Sequence, residues 1–129
     1  SQISVALPGS EGMQQMAALL ARFRKDPPRK LAGLAVTRIR DYLALTEHEP
    51  GGRPRPFDGP EGDMVMLDLE STGTYVAVRP SGTEPKVKYY MFTYEPAEQL
   101  ANLDDAKAQH AERLAALGRD LTAFSQLNR

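Results

Sequence analysis

The chain has 129 residues, of which 41% are hydrophobic and 26% charged, a size that suits one domain and lets folding hide roughly two-thirds of its surface. A formal net charge of −1 argues against non-specific binding to nucleic acid, which needs a basic surface, and no apolar run approaches the ~20 residues of a membrane span. The absence of cysteine excludes disulfides and thiolate metal sites and is compatible with a reducing compartment.

The N-terminal segment predicts an extended stretch followed by a helix. Residues 1–9 are extended, and Ser10 is a good N-cap residue for a helix over about residues 10–25. Pro27-Pro28 stops this helix. Four apolar side chains fall on one helical face: Met13, Met16, Leu20 and Phe23. Met13 and Met16 are expected in the core rather than in a binding groove.

The middle of the chain predicts a strand and then a long surface loop. Residues 33–45 favour a strand, although their alternation of apolar and polar side chains is imperfect. Residues 46–62 are dense in glycine and proline, which predicts a loop within the same domain. Arg53 and Arg55 in this loop are expected to be solvated, or, in a second interpretation, to lean over a cleft.

Three further strands are predicted over residues 63–70, 74–79 and 86–93. Apolar side chains alternate along the first and the third, and the second is rich in residues that favour strands. Short turns connect these strands, so they are expected to pair as antiparallel neighbours. A polar connection containing Pro96 follows over residues 94–102.

A second helix is predicted over about residues 103–127. Its apolar face includes Leu103, His110, Leu114, Leu117, Leu121 and Phe124. Gly118 costs about 1 kcal/mol inside a helix, but the apolar phase continues across it, which indicates one helix. The order of helix, four strands and helix predicts an α+β domain, residues 1–129, with one sheet covered by helices.

The turn between the last two strands has the composition of a phosphate site. It reads Arg79-Pro80-Ser81-Gly82-Thr83-Glu84-Pro85. A phosphate dianion needs converging donors, a cation and little steric bulk. Arg79 offers a planar fork of donors, Ser81 and Thr83 add hydroxyl groups, and Gly82 lets the backbone approach a ligand and adopt a positive φ.

Prolines at the ends of this turn and lysines in the strand after it also favour anion binding. Pro80 and Pro85 stiffen its ends, and Lys86 and Lys88 on one face of the next strand add positive potential. The simpler alternative is a hairpin turn, because proline, serine, glycine and threonine are common in turns.

The segment from Val78 to Tyr90, including Arg-Pro-Ser-Gly-Thr-Glu-Pro at 79–85, resembles the phosphate-binding loop of the α-D-phosphohexomutases. The likeness also takes in Lys25-Asp26-Pro27-Pro28, Leu31-Ala32-Gly33 and Arg40-Asp41-Tyr42. The continuation Glu84-Pro85-Lys86-Val87-Lys88 is more similar to the phosphoglucomutase and phosphomannomutase branch than to the glucosamine branch.

This resemblance implies a C-terminal domain with a fold like the TATA-box-binding protein, a four-stranded antiparallel sheet packed with two main helices. It implies that one loop holds the phosphate that is not transferred when glucose or mannose 1-phosphate and 6-phosphate interconvert. The residues implied at that phosphate are Arg79, Ser81, Gly82, Thr83, Lys86 and Lys88. Glu84 is expected to turn away and brace Arg79 or backbone N–H groups.

The resemblance also implies what this chain lacks. A phosphoserine loop, a magnesium loop and a sugar-binding loop are not visible, so the chain alone is expected to be inactive and to hold no cofactor. Mg²⁺ is expected in the full-length, cytoplasmic parent, with the parent's other domains as partners. The first residue, Ser1, fits an excised or processed chain.

Other candidate sites have simpler explanations. Asp68 and Glu70 are expected on a solvated strand face rather than at a metal, and His110 is far from His48, so a histidine metal site is poorly supported. Two rival functions stay open: a free-standing anion-binding or regulatory module without a catalytic parent, and nucleic-acid binding through the sheet. The second rests on fold analogy alone.

Overall fold

The computed structural model describes residues 1–93 and 103–126. The predicted connection over 94–102, with Pro96, and the predicted end of the second helix lie outside these residues. The elements in chain order are β1 (Gln2–Ala6), α1 (Gly12–Lys25), β2 (Lys30–Leu31), β3 (Leu34–Asp41), β4 (Thr46–His48), β5 (Arg55–Pro56), β6 (Val65–Leu69), β7 (Tyr75–Pro80), β8 (Lys86–Phe92) and α2 (Leu103–Ser125).

One antiparallel sheet with two helices confirms the α+β class and is consistent with a TATA-box-binding-protein-like domain. The expectation of four strands is wrong, because the described residues form a sheet of eight. Seven follow the order β1-β8-β7-β6-β3-β4-β5, and β2 pairs with β3. The four predicted strands correspond to β3, β6, β7 and β8. The N-terminal extended segment adds β1 along β8, and the other three strands have only two or three residues, too few for a periodic signal.

The predicted strand over 33–45 is a strand followed by a turn. The pairing of β3 with β6 shifts register between Val36 and Arg38, and this bulge explains the imperfect alternation, since one extra residue moves the following side chains to the opposite face. The strand ends at Asp41, whose carboxylate accepts the N–H groups of Leu43 and Ala44. The chain then returns as β4, so the predicted loop begins with a strand.

The predicted surface loop after β4 is attached to the domain. The ring of Phe57 packs edge-on against buried Tyr42, with 5.0 Å between centroids. Arg55 donates to both carboxylate oxygens of Glu49 at 2.8 and 2.9 Å, and these hydrogen bonds lower the pKa of Glu49 to about 2. Arg55 is therefore ion-paired rather than simply solvated.

Helix α1 starts later than predicted. Its N-cap residue is Glu11, not Ser10, and no side chain caps it. The N–H of Gly12 is instead accepted by the carbonyl of Gly9 at 3.2 Å, and Gly9 takes a φ of 100° that favours glycine. A backbone hydrogen bond from the turn before the helix thus takes the place of the side-chain cap that was predicted from Ser10.

Both helices cover the same face of the sheet, where the core lies. Tyr89 of β8 contacts Phe23 of α1 and shares a hydrogen bond with the buried Ser125 of α2. Phe124 of α2 in turn contacts Phe23, with 4.8 Å between ring centroids. Helix α2 runs through Gly118 without a break, as predicted.

The pKa of Tyr89 predicts how stability depends on alkaline pH. Burial raises this pKa to about 12, above the ordinary value near 10. The unfolded chain therefore releases the phenol proton first, so the stabilisation is complete below about pH 10 and is lost as pH rises towards 12. Urea unfolding curves measured from pH 9 to 12 test this. The wild-type free energy of unfolding should fall by an amount on the order of 2 kcal/mol over this range, and a Tyr89→Phe variant should lack that decrease. An equal pH slope in both proteins would contradict it.

The opposite face of the sheet carries a paired charge network. Asp68 accepts hydrogen bonds from Arg38 at 2.7 Å and from Arg40 at 2.6 Å, and Glu70 accepts the N–H of Ala35 at 2.8 Å. Both carboxylates, one in β6 and the other directly after it, thus have protein donors.

Candidate functional site

The 79–85 segment forms the turn that joins β7 to β8. The last cross-strand pair before the turn is Pro80 with Val87. Beyond it, the N–H of Ser81 donates to the carbonyl of Lys86 at 2.9 Å, and the N–H of Lys86 donates to the carbonyl of Glu84 at 2.8 Å. These two hydrogen bonds close the base of the turn.

The tip of the turn offers consecutive free donors. Among the described residues, no backbone carbonyl accepts a hydrogen bond from the N–H groups of Gly82, Thr83 or Glu84. Successive unpaired N–H groups in a turn are typical of anion-binding nests. A Cβ at Gly82 would meet no atom within 4 Å, so the space over the tip is open to a ligand.

Gly82 does not have the conformation expected for it. The glycines with positive φ are Gly9, Gly33, Gly51 and Gly73, so the prediction of a left-handed residue at Gly82 is wrong. What glycine provides at this position is the absence of a side chain, which would otherwise occupy the open space beside the N–H groups.

Two cations face each other beside the turn. Arg79 of β7 and Lys88 of β8 are direct cross-strand partners, an arrangement that destabilises a sheet when no anion lies between the side chains. Within the described residues neither has a salt-bridge partner. The pair can therefore receive an anion from outside the chain.

The remaining predicted site residues differ in their ion pairing and in their exposure to solvent. Lys86 forms an ion pair with Glu84 at 3.7 Å, so Glu84 braces a lysine rather than Arg79. Thr83 is exposed at the tip, whereas Ser81 is only 8% exposed. The turn thus brings the six predicted residues into one short stretch, with Lys86 already partly neutralised.

The segment from Leu7 to Gly12, which leads into α1, packs against the end of the turn. The carbonyl of Pro85 accepts the N–H of Leu7 at 2.8 Å. A Cβ added to Gly12 would lie 2.1 Å from the carbonyl oxygen of Leu7 and 2.8 Å from Cβ of Pro85. Only glycine lets the first turn of α1 approach this closely, so Gly12 fixes the position of the turn. Nothing in the sequence pattern indicated it.

A cleft of about 570 Å³ opens between α1 and the turn. It is lined by Met13, Met16, Ala17, Leu20, Arg24, Asp63, Arg79, Pro80, Ser81 and Gly82. Met13 was predicted in the core, but its side chain is 51% exposed. The prediction of core positions holds for Met16, whereas Met13, in the first turn of α1, lines the cleft with its side chain exposed.

No family model matches the chain. The chain does match curated proteins, among them phosphoglucomutases. The protein of Staphylococcus aureus strain USA300 is 34% identical over 89 residues, which are 68% of this chain and 16% of the relative. The protein of Staphylococcus haemolyticus is 34% identical over 90 residues, or 69% of this chain and 16% of the relative. These matches fit a C-terminal domain of a phosphohexomutase.

The phosphohexomutase relatives are much longer than this chain, which spans about 16% of their length. Within residues 1–93 and 103–126, no cluster of three or more His, Cys, Asp or Glu side chains could hold a metal ion. His110 packs instead against Thr93, with 3.1 Å between Nδ1 and the hydroxyl. Among the same residues, no helix is long and apolar enough to cross a membrane.

Proposed function

We propose that this chain is the phosphate-binding domain of a phosphohexomutase of the phosphoglucomutase and phosphomannomutase branch. Its 79–85 turn holds the phosphate that is not transferred while a hexose 1-phosphate and a hexose 6-phosphate interconvert. The parent is an intramolecular phosphotransferase of the isomerase class. Its reacting serine and its Mg²⁺ site belong to other domains, so the chain alone binds ligand without turnover.

The observation that carries this proposal is the set of unpaired donors and cations within and beside one turn. Three successive N–H groups, from Gly82 to Glu84, have no backbone acceptor among the described residues. Arg79 and Lys88 lie opposite each other where the turn leaves the sheet. A phosphate dianion satisfies the donors and removes the repulsion between the two cations, which supports its role as ligand.

The chemistry of these groups gives each residue a distinct role. The Arg79 guanidinium is a planar fork that matches two phosphate oxygens, whereas Lys88 contributes a compact charge. The N–H groups add short-range donors that cost no side-chain entropy. Thr83 supplies a hydroxyl donor at the exposed tip, and Lys86, paired with Glu84, mainly raises the local potential.

A titration of the 129-residue chain followed by backbone amide shifts tests the proposal. Glucose 1-phosphate and methyl phosphate should both perturb the amides of residues 81–86 most strongly, because both carry the phosphate monoester. Unphosphorylated glucose should leave these amides unchanged at the same concentration. Shifts centred outside the turn, or equal shifts with glucose, would overturn the proposal.

A further inference from the structure

We propose that two copies of this chain associate through strand β1, which pairs with the β1 of the second copy in antiparallel orientation about a two-fold axis at Ser4. Strand β1 is one end of the sheet, and no strand pairs with its outer side among the described residues. The inference goes beyond the proposed function and does not depend on it, because the contact uses β1 and not the 79–85 turn.

The backbone of β1 has unused hydrogen-bonding groups along its outer side. Ser1 and Met91 exchange two hydrogen bonds, at 3.1 and 2.8 Å, and the N–H of Leu7 donates to the carbonyl of Pro85 at 2.8 Å. In an antiparallel pair, residues bonded in this way alternate with residues whose N–H and C=O groups point away from the neighbouring strand. Three β1 residues therefore direct these groups outward, with no partner in the described part of the chain: Gln2, Ser4 and Ala6.

The two edges of the sheet differ in how well they are protected. The opposite edge, β5, has only two residues, Arg55 and Pro56. Short length, charge and proline are the devices that keep an edge strand from pairing with another chain. Strand β1 has five residues, Gln-Ile-Ser-Val-Ala, without charge or proline, and its pairing with β8 has no register shift. It therefore lacks these protections.

The sequence of β1 is complementary to itself about Ser4. With Ser4 opposite its own copy, Gln2 lies opposite Ala6 of the second chain, and each of these outward-facing pairs can exchange two backbone hydrogen bonds. Ile3 then lies opposite Val5. Both side chains are on the helix-covered face, where Val5 belongs to the core and Ile3 packs against it. Cross-strand pairs of β-branched residues stabilise a sheet, so this register favours a second copy as the partner.

Helix α2 leaves room for the second copy. A groove of about 700 Å³ runs between β1 and α2, and its helix side includes the short side chains of Thr122 and Ala123 together with Gly118. The two-fold axis is perpendicular to the sheet, so the α2 helices of both copies lie on the same side and their grooves meet. Arg119, which also lines the groove, can cover apolar surface with its stem while its guanidinium stays in water. Because the contact uses both β1 edges and leaves only the protected β5 edges, assembly stops at two chains.

Sedimentation equilibrium of the 129-residue chain over a series of concentrations tests the proposal. The mass should approach twice 14.2 kDa as concentration rises. Ser4→Pro removes the outward N–H at the axis but no hydrogen bond to β8, and it should raise the dissociation constant of the dimer at least about tenfold. Ser4→Ala, the matched control, keeps this N–H and should keep the wild-type constant.

Two double variants test the register itself. Gln2→Glu with Ala6→Glu places like charges opposite each other at both ends of the contact and should give a monomer. Gln2→Lys with Ala6→Glu places opposite charges there and should give a dimer. Both carry Ala6→Glu beside Lys86, so they differ only at position 2, and urea unfolding checks that each is folded. A monomeric wild type, an assembly larger than a dimer, or equal association of the two double variants would overturn the proposal.

Discussion

An Arg79→Ala variant is expected to bind methyl phosphate about 10- to 100-fold more weakly than the wild-type chain. Hydrogen bonds to charged groups contribute about 1.5–3 kcal/mol each, and such a loss corresponds to this range of affinity. Arg79 is exposed and free of ion pairs with the described residues, so its removal leaves no buried group without a partner. Calorimetric titration at low salt measures the change, because added salt screens exposed charges.

Two further arginine variants sharpen this result. Arg79→Lys should give an intermediate affinity, since lysine keeps the charge but loses the planar fork. Arg53→Ala removes the same charge from an exposed position in the glycine- and proline-rich loop, and it should leave affinity unchanged. If Arg53→Ala and Arg79→Ala weaken binding equally, the effect of Arg79 is only that of net charge, and its role as a direct phosphate ligand is contradicted.

A Gly12→Ala variant is expected to lose stability, although alanine is normally the better helix residue. The added Cβ would lie 2.1 Å from the Leu7 carbonyl oxygen, so the helix must move away from the backbone that supports the turn. Overpacking of this kind costs about 1–3 kcal/mol. Urea unfolding measures the loss, and amide shifts in the folded variant should reveal displacement of residues 81–86.

Gly118→Ala makes the same chemical change where space exists. Gly118 lies within helix α2. The added Cβ would contact only Cδ1 of Ile3, at 3.7 Å, which is an ordinary van der Waals distance. This variant should be more stable than the wild type by about 0.5–1 kcal/mol and should bind phosphate normally. If Gly12→Ala also gained stability, the close approach of α1 to the turn would be contradicted.

The sequence predicts most of this fold because the central strands have strong local patterns. Apolar side chains alternate along β6 and β8, β7 is rich in residues that favour strands, and the turns between these strands are short. The short strands β2, β4 and β5 lack such patterns and exist only through pairing with a neighbour. The bulge near Thr37 likewise depends on the register between β3 and β6, which one strand's sequence does not specify.

Part of the candidate site could be predicted from the sequence and part could not. The donors and cations are close together in the chain, from Arg79 to Lys88, so their composition alone indicates an anion site. Gly12, Met13 and Asp63 are far from that stretch in sequence, and only the folded structure brings them beside it. Met13 was misassigned because helical periodicity identifies a face without indicating which of its residues the rest of the domain covers.

A crystal structure of the chain with glucose 1-phosphate tests the central claim most directly. We predict phosphate oxygens within hydrogen-bonding distance of the N–H groups of Gly82 and Thr83 and of the guanidinium of Arg79. A phosphate bound instead at the Arg38 and Arg40 face of the sheet, with the 79–85 turn empty, would contradict the account.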